Sequence, residues 1–528
     1  MKLKMIIVSM LAIAALASCN NENTDNPEPP VTGNNDIAYL SIQVVTQPLS
    51  RASGNQPSET TESELKTLYL VTFNENGIAT SIPGSADHFI KIDGNSTKPE
   101  VIKVSAAAKK LLVVANPGTE LKDAFSGIKA SSTFAEINAQ ITGTNLTVAE
   151  INSNGFTMIN SGNEGDSPKT NDIISDPLID ISNHIVKIEE GVTEEQAKTD
   201  ADANRVPVQI ERLASKIQFK QGDPVMSVNG TFTFGNWTID AVNSTFYPFA
   251  KKTLLEVTHT GSFYKKNFYT EDPNFTGSDG IKKAVIDDLK PVLPTSDGWK
   301  DATTAATTIY CIENTMAAAE QKFGNATRVV IKGTFYPKGH TTNTGDWFSY
   351  ADLSYDNFDA LKAAYAVAAD GSNLKDAGNR FYTILKTAYL ATGATDIFDT
   401  KASLDLIEQT EFETISTAIS SGGELAKGTK DEPNIRWYQG GLCYYYYEIR
   451  HDNETVEDMG FGKYGVVRNN SYLLTLNSVS GPGTPWYPDI DNPGPGDPDP
   501  KDPIDQSGIL GIEVSVADWI LWETPIDL

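Results

Sequence analysis

The sequence of 528 residues contains little cysteine and few basic residues for its length. Its 3 cysteines are too few for a disulfide framework or a zinc cluster, and we expect Cys311 and Cys443 to be small apolar core residues. Basic residues number 42 against 69 acidic ones, which gives a formal charge of -27. No block of lysine or arginine interrupts this acidic background, so nucleic acid and anionic membrane surfaces are poor partners.

Long hydrophobic runs are also absent, apart from one near the N-terminus. Residues 5–17 are apolar, follow two lysines and lead into a small-residue site that ends at Cys19. The run is too short to span a bilayer and has the form of a lipoprotein signal peptide, residues 1–18. We therefore expect lipid on Cys19 to attach the precursor to the outer membrane.

No constellation of residues points to catalysis, a metal or a cofactor. The five histidines lie in separate segments without metal-ligand spacing, and no carboxylate pair stands out. Gly460, Gly462 and Gly465 form GxGxxG, but a strand-like run follows them instead of a helix. The four tyrosines of residues 444–447 predict a core or half-buried strand, with a sugar-binding aromatic platform as the alternative. The sequence thus predicts no enzyme, no cofactor and no metal site.

Short alternating runs between glycine, proline and asparagine indicate a mainly β fold built from sandwiches. In the first run, Leu40, Ile42 and Val44 share one parity, which predicts a half-buried strand. Residues 351–430 have helical spacing and predict a partly helical insertion. The predicted organisation is a propeptide with the first strand (19–51), an N-terminal sandwich (52–211), a C-terminal sandwich with the insertion (212–479), a linker (480–507) and a C-terminal strand (508–528).

The two ends of the chain are predicted to act together. Arg51 is the first basic residue after Cys19 and lies in a polar stretch of the kind that proteases cut. Cleavage between Arg51 and Ala52 removes the lipid and the first strand, which leaves an open groove. Residues 480–507 are rich in proline and aspartate, so we expect an extended linker that does not pack. Beyond it lies an amphipathic strand suited to a neighbour's groove, in which Leu510, Ile512, Val514 and Val516 share one parity. The predicted donor strand also includes Trp519 and Leu521, which lie past the point where the alternation changes phase.

Several of these segments resemble the Bacteroidales major fimbrial subunit family, the type V pilins, and most closely the subunit of the short Mfa-type fimbrium. The resemblance rests on the Cys19 lipobox and on PLSRASG, LKTLYLVTF, CIENT, YGVVRNNSY and IEVSVADWIL, which begin at residues 48, 65, 311, 464 and 512. It implies two transthyretin-like β-sandwich domains and no enzymatic activity. The helical insertion has no counterpart that we can align with the family.

The resemblance also implies a mechanism of assembly. An arginine-specific protease cuts the lipoprotein precursor at Arg51, and the C-terminal strand of one subunit replaces the displaced strand of the next. The products are head-to-tail polymers of the protein itself. Together with accessory fimbrial subunits, they form an extracellular fimbrium that supports adhesion. The alternatives are an anchor or tip subunit of the same fimbrium, a surface lipoprotein that binds glycans through exposed aromatics such as Trp437 or Tyr445, and a secreted hydrolase.

Overall fold

The computed structural model describes most of the chain. The described residues are 36–45, 55–57, 60–94, 96–142, 154–160, 178–189, 191–243, 246–249, 251–252, 257–259, 262–264, 269–276, 298–429, 432–452, 459–504 and 510–520. Strands predominate over helices in them, which confirms the mainly β fold class.

The first part of the chain, up to Arg212, contains two sheets and three helices among its described residues, and its strand Asn55–Pro57 belongs to a sheet of the second half. Its strands are β1 (Ile37–Leu40), β2 (Ile42–Val45), β3 (Asn55–Pro57), β4 (Thr67–Phe73), β5 (Ile90–Asp93), β6 (Ile102–Ser105), β7 (Lys110–Ala115), β8 (Met158–Asn160), β9 (Ile179–Asp180), β10 (Val186–Lys187) and β11 (Val206–Arg212). Its helices are α1 (Thr119–Ser126), α2 (Phe134–Thr142) and α3 (Glu194–Ala203).

These two sheets share one hydrophobic core. The larger sheet has the strand order β2-β11-β8-β7-β4-β5, with β9 beside β7, and the smaller has the order β10-β1-β6. Strands β4 and β7 are buried at every position after the first, so both of their faces are covered, which agrees with their largely apolar sequences. Leu40 from the small sheet and Val113 from the large one belong to the same buried cluster. The arrangement is therefore a sandwich with β1 and β2 built into its core.

The chain passes at Leu213 from the first core to a second set of elements. The strands are β12 (Ala214–Ser227), β13 (Gly230–Asp240), β14 (Lys251–Lys252), β15 (Val257–His259), β16 (Ser262–Tyr264), β17 (Thr270–Glu271), β18 (Thr307–Ile312), β19 (Arg328–Pro337), β20 (Trp347–Tyr350), β21 (Leu353–Tyr355), β22 (Arg436–Tyr438), β23 (Leu442–Glu448), β24 (Asn470–Val479) and β25 (Leu510–Ile520). The helices are α4 (Phe358–Val367), α5 (Asn373–Ala391), α6 (Gln409–Ala418) and α7 (Gly422–Leu425).

The second core lies between a sheet of order β18-β12-β24-β25-β3 and a sheet of order β13-β19-β23. Phe219 and Leu474 of the first sheet and Ile331 of the second belong to one buried cluster. Cys311 and Cys443 are free thiols buried in this cluster, which confirms their expected core role. That the two sandwiches are transthyretin-like domains stays a prediction.

The helical insertion is a separate packed unit inside the second half. Its core contains residues from β20, β22 and the helices α4, α5 and α6, so it extends beyond the expected residues 351–430 on both sides. In α5 the buried residues Ala377, Phe381, Leu385 and Tyr389 recur every four positions, which gives the helix one apolar face. Asn357 and Ser372 cap α4 and α5 by accepting backbone N–H bonds.

The proline- and aspartate-rich segment packs against the fold, contrary to the sequence expectation. Trp486 in it is only 1% exposed, and Ile504 is also buried. Its backbone carbonyls accept bonds from the body of the protein: Pro495 O from Arg436 Nη2 at 2.6 Å, and Pro488 O from Arg328. The composition predicted a free linker because the segment contains few apolar residues. In the structure, arginine side chains of the fold donate hydrogen bonds to its backbone carbonyls and hold the segment in place.

Among the described residues, no helix combines the length and the apolar character that a bilayer crossing requires.

Candidate functional site

The first described segment of the chain, residues 36–45 (the N-terminal segment), is hydrogen-bonded into both sheets of the first sandwich. Strand β1 lies between β6 and β10 and is antiparallel to both, with Ala38 opposite Val104 and Lys187. Strand β2 is parallel to β11, with Ile42 opposite Val206 and Val44 opposite Val208. Removal of this segment therefore breaks pairing in two sheets at once.

The side chains of the N-terminal segment are buried on both faces of β1. Leu40, Ile42 and Val44, which share a parity in the sequence, are at most 1% exposed and belong to the first core. Tyr39 is buried as well, on the opposite face, where it packs with Ala197 and Ala201 of α3. Sequence reasoning missed Tyr39 because the alternation predicted a solvated second face.

Polar contacts also hold the N-terminal segment in place. Ser41 Oγ donates to Asp202 Oδ1 at 3.3 Å, and Arg205 Nη1 donates to the carbonyl of Ile42 at 3.2 Å. Lys198 Nζ lies 5.3 Å from the centre of the Tyr39 ring. Helix α3 and the residues just after it thus cover β1 with small side chains, and their polar groups both accept from and donate to the N-terminal segment.

At the other end of the chain, β25 lies in its own subunit's second sandwich. It is antiparallel to β24, with Val514 opposite Leu474 and Ile512 opposite Leu476. Val514 is buried, Leu510 and Ile512 are half-buried against the same core, and Ser515 is exposed, so the parity expected from the sequence is present. The sequence predicted a strand that need not belong to its own subunit's core; in the structure it packs there, on the side of β24 opposite β12.

Strand β25 is held on its second side only at its far end. Asp518, Trp519 and Ile520 pair in parallel with Asn55, Gln56 and Pro57 of β3. Over Leu510–Ala517 no strand among the described residues pairs with the outer edge of β25. This pairing of β3 with β25 has no signal in the sequence, since β3 is short and polar.

The remaining predicted site residues are only partly visible. Cys19, Arg51, Ala52 and Leu521 lie outside the described residues, and for Val516 and Trp519 the structure describes the backbone pairing alone. The structure therefore describes the segments predicted to be the displaced strand and most of the donor strand, and their roles, like the lipidation and cleavage positions, stay predictions.

Two features noted in the sequence, a glycine motif and a pair of aromatic residues, have structural roles. Gly465 of the GxGxxG adopts a φ of +113°, and an added Cβ would lie 2.6 Å from the carbonyl oxygen of Asn314, so glycine is needed for the close approach of the two backbones. Trp437 and Tyr445 are 0% and 3% exposed. The alternative of a glycan binder required these two aromatics to be exposed, and both are instead buried in cores.

Two family models match the chain, one at each end. The model described as "Major fimbrial subunit protein (FimA)" matches residues 38–212, from β1 to the end of β11. The model described as "Major fimbrial subunit protein type IV, Fimbrillin, C-terminal" matches residues 436–524, which include β22 to β25. Together they span half of the chain and include both the N-terminal segment and β25. The chain belongs to the major fimbrial subunit family.

Individual members of this family are distant in sequence. The major fimbrium subunit FimA type-2 of Porphyromonas gingivalis is 34% identical over 132 residues, which are 25% of this chain and 28% of the relative. The match thus spans about a quarter of the relative's length. A fimbrilin structure from P. gingivalis has a TM-score of 0.39 at 12% identity, covering 92% of this chain and 98% of its own. The tip fimbrial protein Mfa3 of P. gingivalis has a TM-score of 0.33 at 11% identity, covering 92% and 100%.

Proposed function

We propose that this protein is a structural, non-enzymatic subunit of a cell-surface fimbrium that supports adhesion and assembles by strand exchange. A lipidated precursor at the outer membrane is cut after Arg51 by an arginine-specific protease. The C-terminal strand of one subunit then fills the groove that the N-terminal segment leaves in the next. Accessory subunits of the same fimbrium are the further partners.

The observation that carries the proposal is the position of the N-terminal segment. It is buried in the first core and paired in two sheets, yet it precedes Arg51, so one cut separates it from everything that follows. Loss of the segment exposes the apolar side chains that lined it, such as Val104 and Val208, together with unpaired strand edges. An exposed groove of this kind is a template for a strand from another molecule.

Strand β25 has the side-chain pattern that the groove requires. Leu510, Ile512 and Val514 present one apolar face, as Leu40, Ile42 and Val44 do. Three such side chains contribute about 5 to 9 kcal/mol on burial, before the cost of association. A head-to-tail contact of this type does not close on itself, so it produces a filament.

The proposal is tested by replacing Arg51 with alanine. We expect cells that express the Arg51→Ala variant to keep a folded, lipidated monomer and to form no filaments, because the N-terminal segment still fills its groove. Lys66→Ala is the matched control, since Lys66 is the next basic residue and its side chain is 44% exposed. Electron microscopy of sheared filaments and N-terminal sequencing provide the measurement, with Ala52 expected as the first residue.

Two outcomes of this experiment contradict the proposal. Abundant filaments from the Arg51→Ala variant exclude release of the N-terminal segment as a condition of assembly. An uncut Arg51 in the wild-type protein on cells instead favours the anchor role, in which the subunit keeps its lipid.

A further inference from the structure

Strand β3 connects the two ends of the chain that the proposed assembly uses. Residues 46–54 join β2 of the first sandwich to β3, and Arg51 is among them. Strand β3 itself lies at the edge of the second sandwich, in parallel with the last residues of β25. The strand that holds the far end of β25 therefore follows the N-terminal segment in the sequence, and the proposed cleavage position lies between the two.

The chain is fixed on both sides of β3. Downstream, Glu62 is 2% exposed, Lys216 Nζ lies 2.9 Å from its Oε1, and the Tyr310 hydroxyl donates to the same oxygen at 2.6 Å. Arg212 Nε also donates to the carbonyl of Glu62 at 3.0 Å. Upstream, β2 is paired with β11 and packed in the first core. In the uncut chain, β3 is therefore anchored at both of its ends.

The pairing of β3 with β25 depends on these anchors because it is short. It joins three pairs of residues, and one of them contains Pro57, which has no N–H to donate. Alternate residues of a parallel pair turn both the N–H and the C=O toward the partner strand, so Gln56 is the residue of β3 that does so. Ordering a residue costs at least as much free energy as one backbone hydrogen bond returns. Anchors at both ends lower this cost, because they restrict how far β3 can move away from β25.

A cut after Arg51 removes the upstream anchor and leaves the downstream one. Ala52, Ser53 and Gly54 are then the residues that precede β3, and a chain terminus frays unless contacts fix it. When β3 frays, the end of β25 loses its second neighbour and is paired with β24 alone. A strand with one neighbour opens more readily than a strand with two, because fewer hydrogen bonds break.

We propose that β3 restrains β25 as long as the chain is uncut, so that cleavage after Arg51 loosens the predicted donor strand as well as freeing the N-terminal segment. This inference rests on the proposed function for the position of the cut. It adds regulation to that function: in the uncut subunit the groove is filled and the C-terminal strand is held, so early exchange is blocked at both ends of the chain.

The test measures amide exchange in the purified full chain by mass spectrometry. The Arg51→Ala variant stays uncut, and an arginine-specific protease cuts the wild-type chain, with N-terminal sequencing to verify a single cut before Ala52. In the monomer fraction, exchange in β25 should be about tenfold faster after the cut, the effect of one or two lost backbone hydrogen bonds. Exchange in β12 should not change, since this strand lies inside the same sheet between β18 and β24.

Two substitutions of Gln56 in the Arg51→Ala chain test whether the effect passes through β3. Gln56→Pro removes the central N–H of the pairing without any cut, so exchange in β25 should again be about tenfold faster. Gln56→Ala is the matched control, because it keeps the backbone N–H, and exchange in β25 should stay at the level of the uncut chain. Unchanged exchange in β12 shows for each variant that the second sandwich remains folded.

Unchanged exchange in β25 after the cut overturns the proposal, because the cut is then not transmitted to this strand. Unchanged exchange in Gln56→Pro means that β3 does not restrain β25, and equal acceleration in Gln56→Ala means that the backbone pairing is not the cause. An Arg51 that resists the protease also overturns the proposal, since the release then has no trigger. Filament yield tests the proposed function separately, because exchange is measured on monomers and requires no assembly.

Discussion

The two strand segments at the ends of this chain differ in how firmly they are held. The N-terminal segment is buried on both faces of β1, paired on both sides there, and covered by α3. Strand β25 has one continuous neighbour, β24, and meets β3 only at its far end. Among its described side chains, Val514 alone is fully buried. A strand that is central and covered thus contrasts with a strand that has one continuous neighbour.

This difference gives the proposed assembly its order. Edge strands open more readily than central ones, because fewer hydrogen bonds and less apolar area are lost. In the proposed assembly, we expect transfer of β25 from its own sheet into a groove closed on both faces to increase its burial, which would favour exchange once the groove is empty. While the N-terminal segment fills the groove, the same transfer has no acceptor.

The largest expected effect is a charge in the N-terminal segment. Ile42→Asp places a carboxylate in the first core, where Ile42 is 1% exposed, and should lower the free energy of unfolding by about 4 kcal/mol. Gln43→Asp, on the half-buried side of the same strand, is the control and should cost about 1 kcal/mol. Urea unfolding of the full chain provides the measurement. Equal losses in the two variants contradict the claim that β2 is held mainly by the face that carries Ile42.

A smaller effect is expected from the same change in β25. Val514→Asp should lower the free energy of unfolding by about 2 kcal/mol, since the site is at a sheet edge where the carboxylate can turn toward water. Polymer yield should fall more steeply, because the proposed acceptor groove is closed. Ser515→Asp, on the exposed face, should leave both quantities nearly unchanged. Sedimentation and circular dichroism give the two values, and normal polymerisation of Val514→Asp would show that another segment is the donor.

Sequence patterns predicted the strands well where one rule decides their placement. Alternation identified the inward residues Leu40, Ile42 and Val514, and helical spacing identified the insertion. Patterns failed where distant residues act together. Tyr39 is buried because α3 supplies small alanines opposite it, and Trp486 is buried because Asp497 and Gly494 fold back on it. Tyr444 of β23 forms a β-bridge with Thr484, which lies 40 positions further along the chain, and the composition of the sequence does not predict this pairing.

The smallest predicted effect concerns the segment that leads into β25. Trp486 Nε1 donates to Asp497 Oδ2 at 2.9 Å, inside the proline- and aspartate-rich segment, and Ile504 of this segment lines the same cavity as Leu510 of β25. Trp486→Phe keeps a buried ring but removes this donor, so the segment should loosen by about 1 kcal/mol. Because the segment positions the start of β25, amide exchange along β25 should accelerate about fivefold while exchange in β1 stays unchanged.

Trp437→Phe is the matched control for this last change. Trp437 Nε1 donates to Asp346 Oδ2 at 2.8 Å, so the same kind of bond is lost, but in the helical insertion. Hydrogen exchange followed by mass spectrometry compares the two variants strand by strand. Faster exchange of β25 in Trp486→Phe alone supports a segment that restrains the strand locally. Equal acceleration in both variants means that β25 opens only when the whole second half of the chain unfolds. The contrast between a fixed N-terminal strand and a releasable C-terminal strand would then not arise from local contacts.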